Sequence, residues 1–486
     1  MKGRRPVHDN LVEEQRKRPS SLTGILPVLA PFVVLIAGSI AWWGCHYLLL
    51  WNAEVAASDA LVAGYDSRFM LSVGGTVVAL GALALASHRR PGFEFARWLP
   101  SYGAFLTLSI IALILVFAPL FAEEPAPLIA LGAVLSGIGN SFALVIYGEL
   151  HAQMELRVLP LVFALEALGG IALFLPSLAF PPAALPASLA LAVICALCFL
   201  RSSRTPGAIG SALGTAGIDM GLRALVVLAI LTGIGYGMAR TFTVGAASPA
   251  NVFDGLLSEW IGSSCAALFL ITAFFLQKRL SMFELCLLFV VPFVATGLLL
   301  ASLRGSIAIV PAAINHAGFA CFFILMWYFA AMLSAHDGGK RLTFTISILF
   351  LANQASQFTG SLVPAQFSNM LSMSLVYLIL VVSMGFMYWR SKTNGARGTQ
   401  AAGTATDNIS NAAGNAQPWI AALGLSPREA EIAALLLKRT PYRQISEELF
   451  ISENTVKTHV RNIYKKSNVT SREELLEMLA TLGQDA

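Results

Sequence analysis

Near the C-terminal end of the chain, Lys457, Arg461 and Lys465 recur every fourth residue, with Thr458 and Asn462 beside them. On a helix this spacing gathers the cations on one face, while Val456, Val460 and Ile463 fall on another. A helix anchored by an apolar back and presenting guanidinium, ammonium, hydroxyl and amide groups suits the major groove of DNA. That groove admits an α-helix and displays a distinct donor and acceptor pattern for each base pair. A charged face is more commonly just solvated, and Leu425 to Leu482 holds nine Lys and Arg against eight Glu. Distribution favours the functional reading: Lys457, Arg461, Lys465 and Lys466 share their helix with one acid, Glu453, at its start.

A second set of polar residues lies inside long apolar runs, where such groups are costly and mark sites or interhelical pairs. It comprises Asn140, Glu166, Arg240, Glu259, Asn315, His316, Asn353, Gln354 and Gln357. Of these, Glu166, Arg240, Glu259, Asn315 and His316 are the candidate ligand or proton contacts. Arg240 and Glu259 stand on neighbouring runs near the same end and are placed to neutralise each other. Glu166 sits among Leu and Ala with no local partner, whereas Asn315-His316 and Gln354/Gln357 suit interhelical hydrogen bonds as well as a ligand. Nothing in the chain assembles a catalytic set: there is no Walker loop, paired-metal spacing or nucleophile elbow, and no metal or cofactor is expected. Cys195 and Cys198 have the spacing of a redox motif, but all six cysteines fall in apolar runs and read as small helix residues.

The elements that carry these residues are all helical. Hydrophobic residues make up 56% of the 486-residue chain and charged residues 12%, with a mean hydropathy of +0.71, far from a soluble average. About twelve runs reach the ~20 residues that cross a bilayer, which predicts two six-helix halves. The first occupies Ile25 to Trp51; the others centre near Val78, Leu113, Ser136, Leu168, Ala192, Ala229, Ala267, Val291, Phe322, Phe350 and Leu380. The first run has no cleavage site and reads as a retained span behind a basic leader, residues 1–24.

Cations set the orientation. They crowd the N-terminus and alternate loops thereafter: Arg89, Arg90 and Arg97; Arg157; Arg201 and Arg204; Lys278 and Arg279; Lys340 and Arg341; then Arg390 and Lys392. Lys and Arg beside a span resist translocation, so both termini are expected on the cytoplasmic side of a bacterial inner membrane. The membrane domain is expected over residues 25–389 and a flexible linker over 390–418, rich in Ala, Gly, Asn and Thr. A coil of about 25 residues has a root-mean-square span of roughly 25 to 30 Å.

The last stretch, residues 419–486, carries four helix starts. Ser426-Pro427-Arg428-Glu429 combines a serine cap, proline at the first helical position and the capping-box glutamate. Thr440-Pro441 opens a second helix, Ser452 a third to about Ser467, and Ser471 to Glu474 repeats the box for a fourth. The run Leu425-Ser426-Pro427-Arg428-Glu429, then Ile445 to Ser452, then Thr455-Val456-Lys457-Thr458-His459-Val460, with Ile463, Lys466, Val469 and Arg472, resembles the LuxR/NarL-type helix-turn-helix family. It departs from that pattern at Lys438-Arg439-Thr440-Pro441, where the family commonly has a glycine-containing turn.

That resemblance implies sequence-specific binding to double-stranded DNA, usually as a homodimer, with the third helix in the major groove. By position, Lys457, Thr458 and Arg461 would address base edges, while Thr455, Lys465 and Lys466 would contact phosphates. The two sets of six spans more weakly resemble the major facilitator transporters; the glycine- and aspartate-containing signature between spans two and three is replaced by Ser87-His88-Arg89-Arg90-Pro91-Gly92-Phe93. The expected function is therefore a membrane-bound one-component transcriptional regulator whose spans sense a small molecule. The alternative is a transporter with a regulatory DNA-binding tail.

Overall fold

The computed structural model describes residues 26–51, 64–118, 126–176, 183–204, 221–245, 252–277, 281–302, 309–335, 339–363, 423–437, 440–449, 453–469 and 471–475, with a few isolated positions between them. These divide into two compact units, residues 1–383 and 384–486. All regular structure among the described residues is helical.

In the first unit a short lead-in, Leu26–Leu29 and the 3-10 turn Ala30–Phe32, runs into α1 (Val33–Trp51). There follow α2 (Gly64–Arg89), α3 (Pro100–Val116), α4 (Ala126–His151), α5 (Leu159–Phe174) and α6 (Ala184–Ser203). The second half contributes α7 (Leu222–Gly245), α8 (Val252–Leu276), α9 (Met282–Ser302), α10 (Ile309–Ala335) and α11 (Leu342–Ser361). Each of α2 to α11 contains the centre expected from hydropathy. Seven described helices are long and apolar enough to cross a membrane by length and composition, and α3, α5 and part of α9 are shorter apolar helices. The run centred near Leu380 lies mostly outside the described residues, as do the leader and the linker.

The two halves pack alike. In the first, α1 lies on α5 while α2 and α3 lie on α4; in the second, α7 lies on α11 while α8 and α9 lie on α10. The halves meet through α2 against α11 and α5 against α8, which are equivalent pairs under the same exchange. An internal twofold in the packing follows, although the two halves share no obvious sequence repeat.

Small residues allow the tight crossings, as expected where lipid provides no hydrophobic drive for helix association. A Cβ at Gly137 of α4 would collide with the carbonyl oxygen of Ser72 on α2, and one at Gly237 of α7 would collide with that of Gln357 on α11. Polar side chains fasten the same seams: Thr76 donates to the Gly137 carbonyl at 3.1 Å, and Asn353 Nδ2 donates to the Ala229 carbonyl at 3.1 Å.

The second unit folds around Leu425, Ile432, Leu436, Ile445, Val456, Val460, Ile463 and Leu475. Its helices are α12 (Pro427–Leu437), α13 (Tyr442–Glu448) and α14 (Glu453–Ser467), and residues 472–475 are helical beyond them.

The close backbone contact at Gly137 generates a direct test: Gly137→Ala should destabilise the bundle by about 1–3 kcal/mol, as overpacking does. Lowered thermal stability of the purified full-length protein in detergent is the expected reading, with Gly81→Ala, where a Cβ meets nothing within 4 Å, as the unaffected control.

Candidate functional site

The helix expected to face DNA is built as its spacing requires. On α14, Val456, Val460 and Ile463 are buried, and Lys457, Thr458, Arg461, Lys465 and Lys466 are exposed. Thr455 is half-buried, at the border between the two faces. The helix ends where Asn468 takes a positive φ of 53° and the Val469 amide donates to the Tyr464 carbonyl at 3.1 Å, a Schellman closure that fixes the end of the cationic stripe.

Capping holds α14 against its neighbours. The Ser426 amide donates to Glu429 Oε2 at 2.8 Å and the Glu429 amide donates to Ser426 Oγ at 3.3 Å, the reciprocal box read from the sequence. Lys466 Nζ joins it, donating to Glu429 Oε2 at 2.6 Å and to the Gly424 carbonyl at 3.0 Å. Lys466, expected on phosphates, thus pins the end of α14 to the start of α12. Arg428 bonds Glu431 at 2.6 Å and the Leu449 carbonyl at the end of α13. Arg472 reaches the Thr440 carbonyl at 3.0 Å and lies 5.8 Å from the Tyr442 ring centroid, so the turn that departs from the family pattern is held from the fourth helical segment.

Two ionisations in this unit are displaced. Burial by itself raises the Glu429 pKa, but hydrogen bonds from Lys466 and Ser426 outweigh it and hold the carboxyl below its ordinary value. Tyr464 is pushed up to about 12, by burial first and then by the neighbouring Tyr442 hydroxyl.

The bundle encloses a cavity of about 120 Å³ between its halves. Its aromatic walls include Trp43, Tyr47, Tyr236 and Phe319, and its polar groups include Ser72, Asn140, Glu259, Ser263, His316 and Gln357. His316 of α10 engages both ring nitrogens, with Tyr236 of α7 at 3.2 Å and with Ser263 of α8 at 3.0 Å. Gln357 is 2% exposed and its Oε1 has no hydrogen-bond partner, an acceptor left for an occupant. Among the described residues no group of His, Cys, Asp or Glu is arranged to hold a metal ion.

Two of the five membrane candidates, Glu259 and His316, come together here. The side chain of Arg240 lies outside the described residues, and with it the expected pairing to Glu259. Asn315 faces α9 instead, its Cβ 2.6 Å from where a Cβ on Gly297 would stand. Glu166 is not part of the cavity lining. Far from lacking a partner, it accepts a hydrogen bond from the Tyr147 hydroxyl and lies 2.8 Å from His151 Nε2, both on α4.

Sequence reasoning passed over Tyr147 and His151, whose spacing of four in the run Ile146-Tyr147-Gly148-Glu149-Leu150-His151 was the available signal. It also passed over Glu149, which accepts from the amides of Phe95 at 3.1 Å and Ala96 at 2.7 Å and meets the Thr343 hydroxyl at the start of α11.

Comparison with known proteins assigns the second unit. The model of bacterial regulatory proteins of the luxR family matches residues 423–479. The chain belongs to that family. Spore germination protein GerE of Bacillus subtilis (strain 168) is 37% identical over 60 residues, which is 12% of this chain and 81% of GerE. The HTH-type transcriptional regulator MalT of Vibrio cholerae is 35% identical over 60 residues, so this chain spans only 7% of that relative. The luxR-type unit implies DNA as a partner, and the apolar helices imply a lipid bilayer.

The first unit is similar in fold to transporters. The major facilitator superfamily proton:xylose symporter XylE superposes with a TM-score of 0.53 at 14% identity, over 74% of this chain and 95% of XylE. A bacterial homologue of the iron transporter ferroportin gives 0.51 at 13%, over 74% of this chain and 99% of that one. At these identities the likeness is one of fold.

GerE is little longer than the luxR-type unit, which supports study of residues 419–486 alone. Because the folded-state pKa of Glu429 is depressed, its contribution is present above the ordinary value near 4.5 and lost as pH falls through the folded value. Thermal melts of this fragment should show an acid-side loss of stability that Glu429→Gln flattens, with the variant less stable near neutrality by up to about 1 kcal/mol because the charge paired with Lys466 is lost while the capping box is kept.

Proposed function

We propose that this chain is a membrane-tethered one-component transcriptional regulator. Its luxR-type unit reads a specific operator as a homodimer, and its major-facilitator-like bundle binds a small molecule that changes how two such units pair. The observation that supports this best is the fusion itself: one chain carries a DNA-binding unit and a bundle with a largely apolar cavity that holds an unmet buried acceptor. The alternating loop cations support a bacterial inner-membrane location with both termini in the cytoplasm, the side on which DNA is found.

On α14, Lys457, Thr458 and Arg461 address base edges and Thr455 and Lys465 address phosphates. Lys466 adds a phosphate contact only to the extent that Glu429 releases it. A bidentate base contact supplies roughly 1–3 kcal/mol of discrimination, whereas a phosphate contact strengthens binding to every sequence. Arg461→Ala is thus expected to relax specificity at one position, and Lys465→Ala to weaken all sequences alike and lower the salt slope by about one. Gel-shift titrations over several salt concentrations measure both; equal selectivity in the two variants refutes the division of roles.

The sensing role has its own test. Ala320 lines the cavity, and Ala320→Trp fills it. Mapping genomic occupancy of the full-length protein should show operators whose occupancy changes in the filled variant, whereas unchanged occupancy at every operator reduces the bundle to an anchor. The transporter fold favours one second reading, a transporter with a regulatory tail. Gradient-driven uptake into proteoliposomes supports that reading, and binding without accumulation opposes it.

A further inference from the structure

Tyr147, His151 and Glu166 form a group apart from the cavity, with relative exposures of 0%, 1% and 0%. Its hydrogen bonds determine where the protons are. His151 Nδ1 lies 2.8 Å from the carbonyl oxygen of Tyr147, which can only accept, so Nδ1 carries a hydrogen. His151 Nε2 lies 2.8 Å from Glu166 Oε1, and that contact needs one proton between the two atoms. Either the imidazolium donates to a carboxylate or a carboxylic acid donates to neutral imidazole, and in both cases the pair is neutral with one shared proton. The Tyr147 hydroxyl completes the arrangement by donating to Glu166 Oε2.

We propose that these three residues are a proton-binding site in the first half of the bundle, holding one exchangeable proton between His151 Nε2 and Glu166 Oε1. Losing that proton leaves a nitrogen lone pair facing a carboxylate in a dry setting, where such repulsion is largest. A second proton would leave an uncompensated buried cation. The geometry therefore fits a single occupancy, bounded on both sides of pH, and the titration belongs to the pair and not to either residue.

The surroundings isolate the site. Aromatic rings cover it: Tyr147 stacks on His151 at 4.0 Å between centroids and lies 4.4 Å from Trp327 and 5.2 Å from Trp42, with Phe163 5.4 Å from His151. Other titratable groups on the packed helices are engaged elsewhere. His46 and Tyr47 of α1, Glu259 of α8 and His316 of α10 line the cavity, and of these Tyr47 also acts through space on Tyr147. Glu149 of α4 is bonded to Phe95 and Ala96, Tyr102 of α3 to the Ala96 carbonyl, and His88 of α2 lies against Phe344 of α11; Cys195 of α6 is a buried thiol.

The proton joins α4 to α5, and α5 is one of the helices through which the halves meet. Proton release on raising pH should loosen that join. The site is independent of the small-molecule reading, because no member of it lines the cavity.

The test uses the full-length protein in lipid nanodiscs, read by tryptophan fluorescence against pH, since Trp42 and Trp327 flank Tyr147. Wild type should show a one-proton transition, accompanied by a fall in thermal stability as the proton is lost. Glu166→Gln should abolish both. Tyr147→Phe keeps the pair but removes a donor to the carboxylate, so it should retain the one-proton transition, displaced upward if the proton rests on Glu166 and left in place if it rests on His151. A transition that persists unchanged in Glu166→Gln overturns the proposal, as does the loss of any transition in Tyr147→Phe while that variant stays folded. A purely structural network would lower stability equally at every pH in both variants, which also overturns it.

Discussion

Hydrocarbon offers no hydrogen bonds, so each polar side chain that enters the bundle must find its partner inside it. That constraint shapes the first unit. Ser39, Ser87, Ser188 and Thr232 turn back to carbonyls one turn away on their own helices. Thr76, Ser141 and Asn353 reach across to a neighbouring helix, and they do so where glycine permits the backbones to approach. Glu149 collects two backbone amides, and Glu166 collects a hydroxyl and an imidazole. Among the described residues the rule is met only in part by the carboxamide oxygens of Asn315, Asn353 and Gln357, the Trp43 indole nitrogen and the Ser347 hydroxyl. Of these residues Gln357 and Trp43 line the cavity, so an unmet acceptor and an unmet donor are there for a molecule entering the void.

How far this was legible in the sequence differs between the units. In the luxR-type unit almost everything was local: Ser426 and Glu429 are three residues apart, and Val456, Val460 and Ile463 repeat with the helix, so spacing alone placed caps, buried face and cationic face. What spacing could not give was Lys466 turning to Glu429, 37 positions earlier in the chain, because that contact depends on how α14 lies against α12. The opposite holds in the bundle. Hydropathy located the helices, since length and apolarity are properties of single segments, but partners across helices are properties of their rotation and depth. Glu166 therefore read as solitary when His151 was 15 positions away on the preceding helix, and Asn315 read as a twin of His316 although adjacent residues on a helix point about 100° apart.

The same argument explains why the internal twofold is visible in packing and not in composition. Equivalent helix pairs need only equivalent small residues and shapes at their crossings, and many sequences provide those. Gly137 of α4 against Ser72 of α2 in the first half and Gly262 of α8 against Ala313 of α10 in the second achieve close approach with different neighbours. Likeness to XylE at 14% identity is a further instance: a fold persists where few residues are shared.

Coupling between the units is constrained by what joins them. On the proposed reading, a linker with the composition of residues 390–418 would transmit neither torque nor a rigid displacement, so a change of shape within the bundle would need another route to the luxR-type unit. What a flexible tether does transmit is concentration. Two luxR-type units held by a pair of bundles experience an effective concentration set by linker reach, in the millimolar range for short linkers and falling as the anchor points separate. On the proposed reading, a ligand or a proton that altered how bundles associate would alter how often two units meet on one operator. On this view the output depends on the spacing of bundles in the bilayer plane. On that reading the interfaces that matter for signalling would lie on the lipid-facing surface of the first unit, and an occupant of the cavity would act by changing that surface.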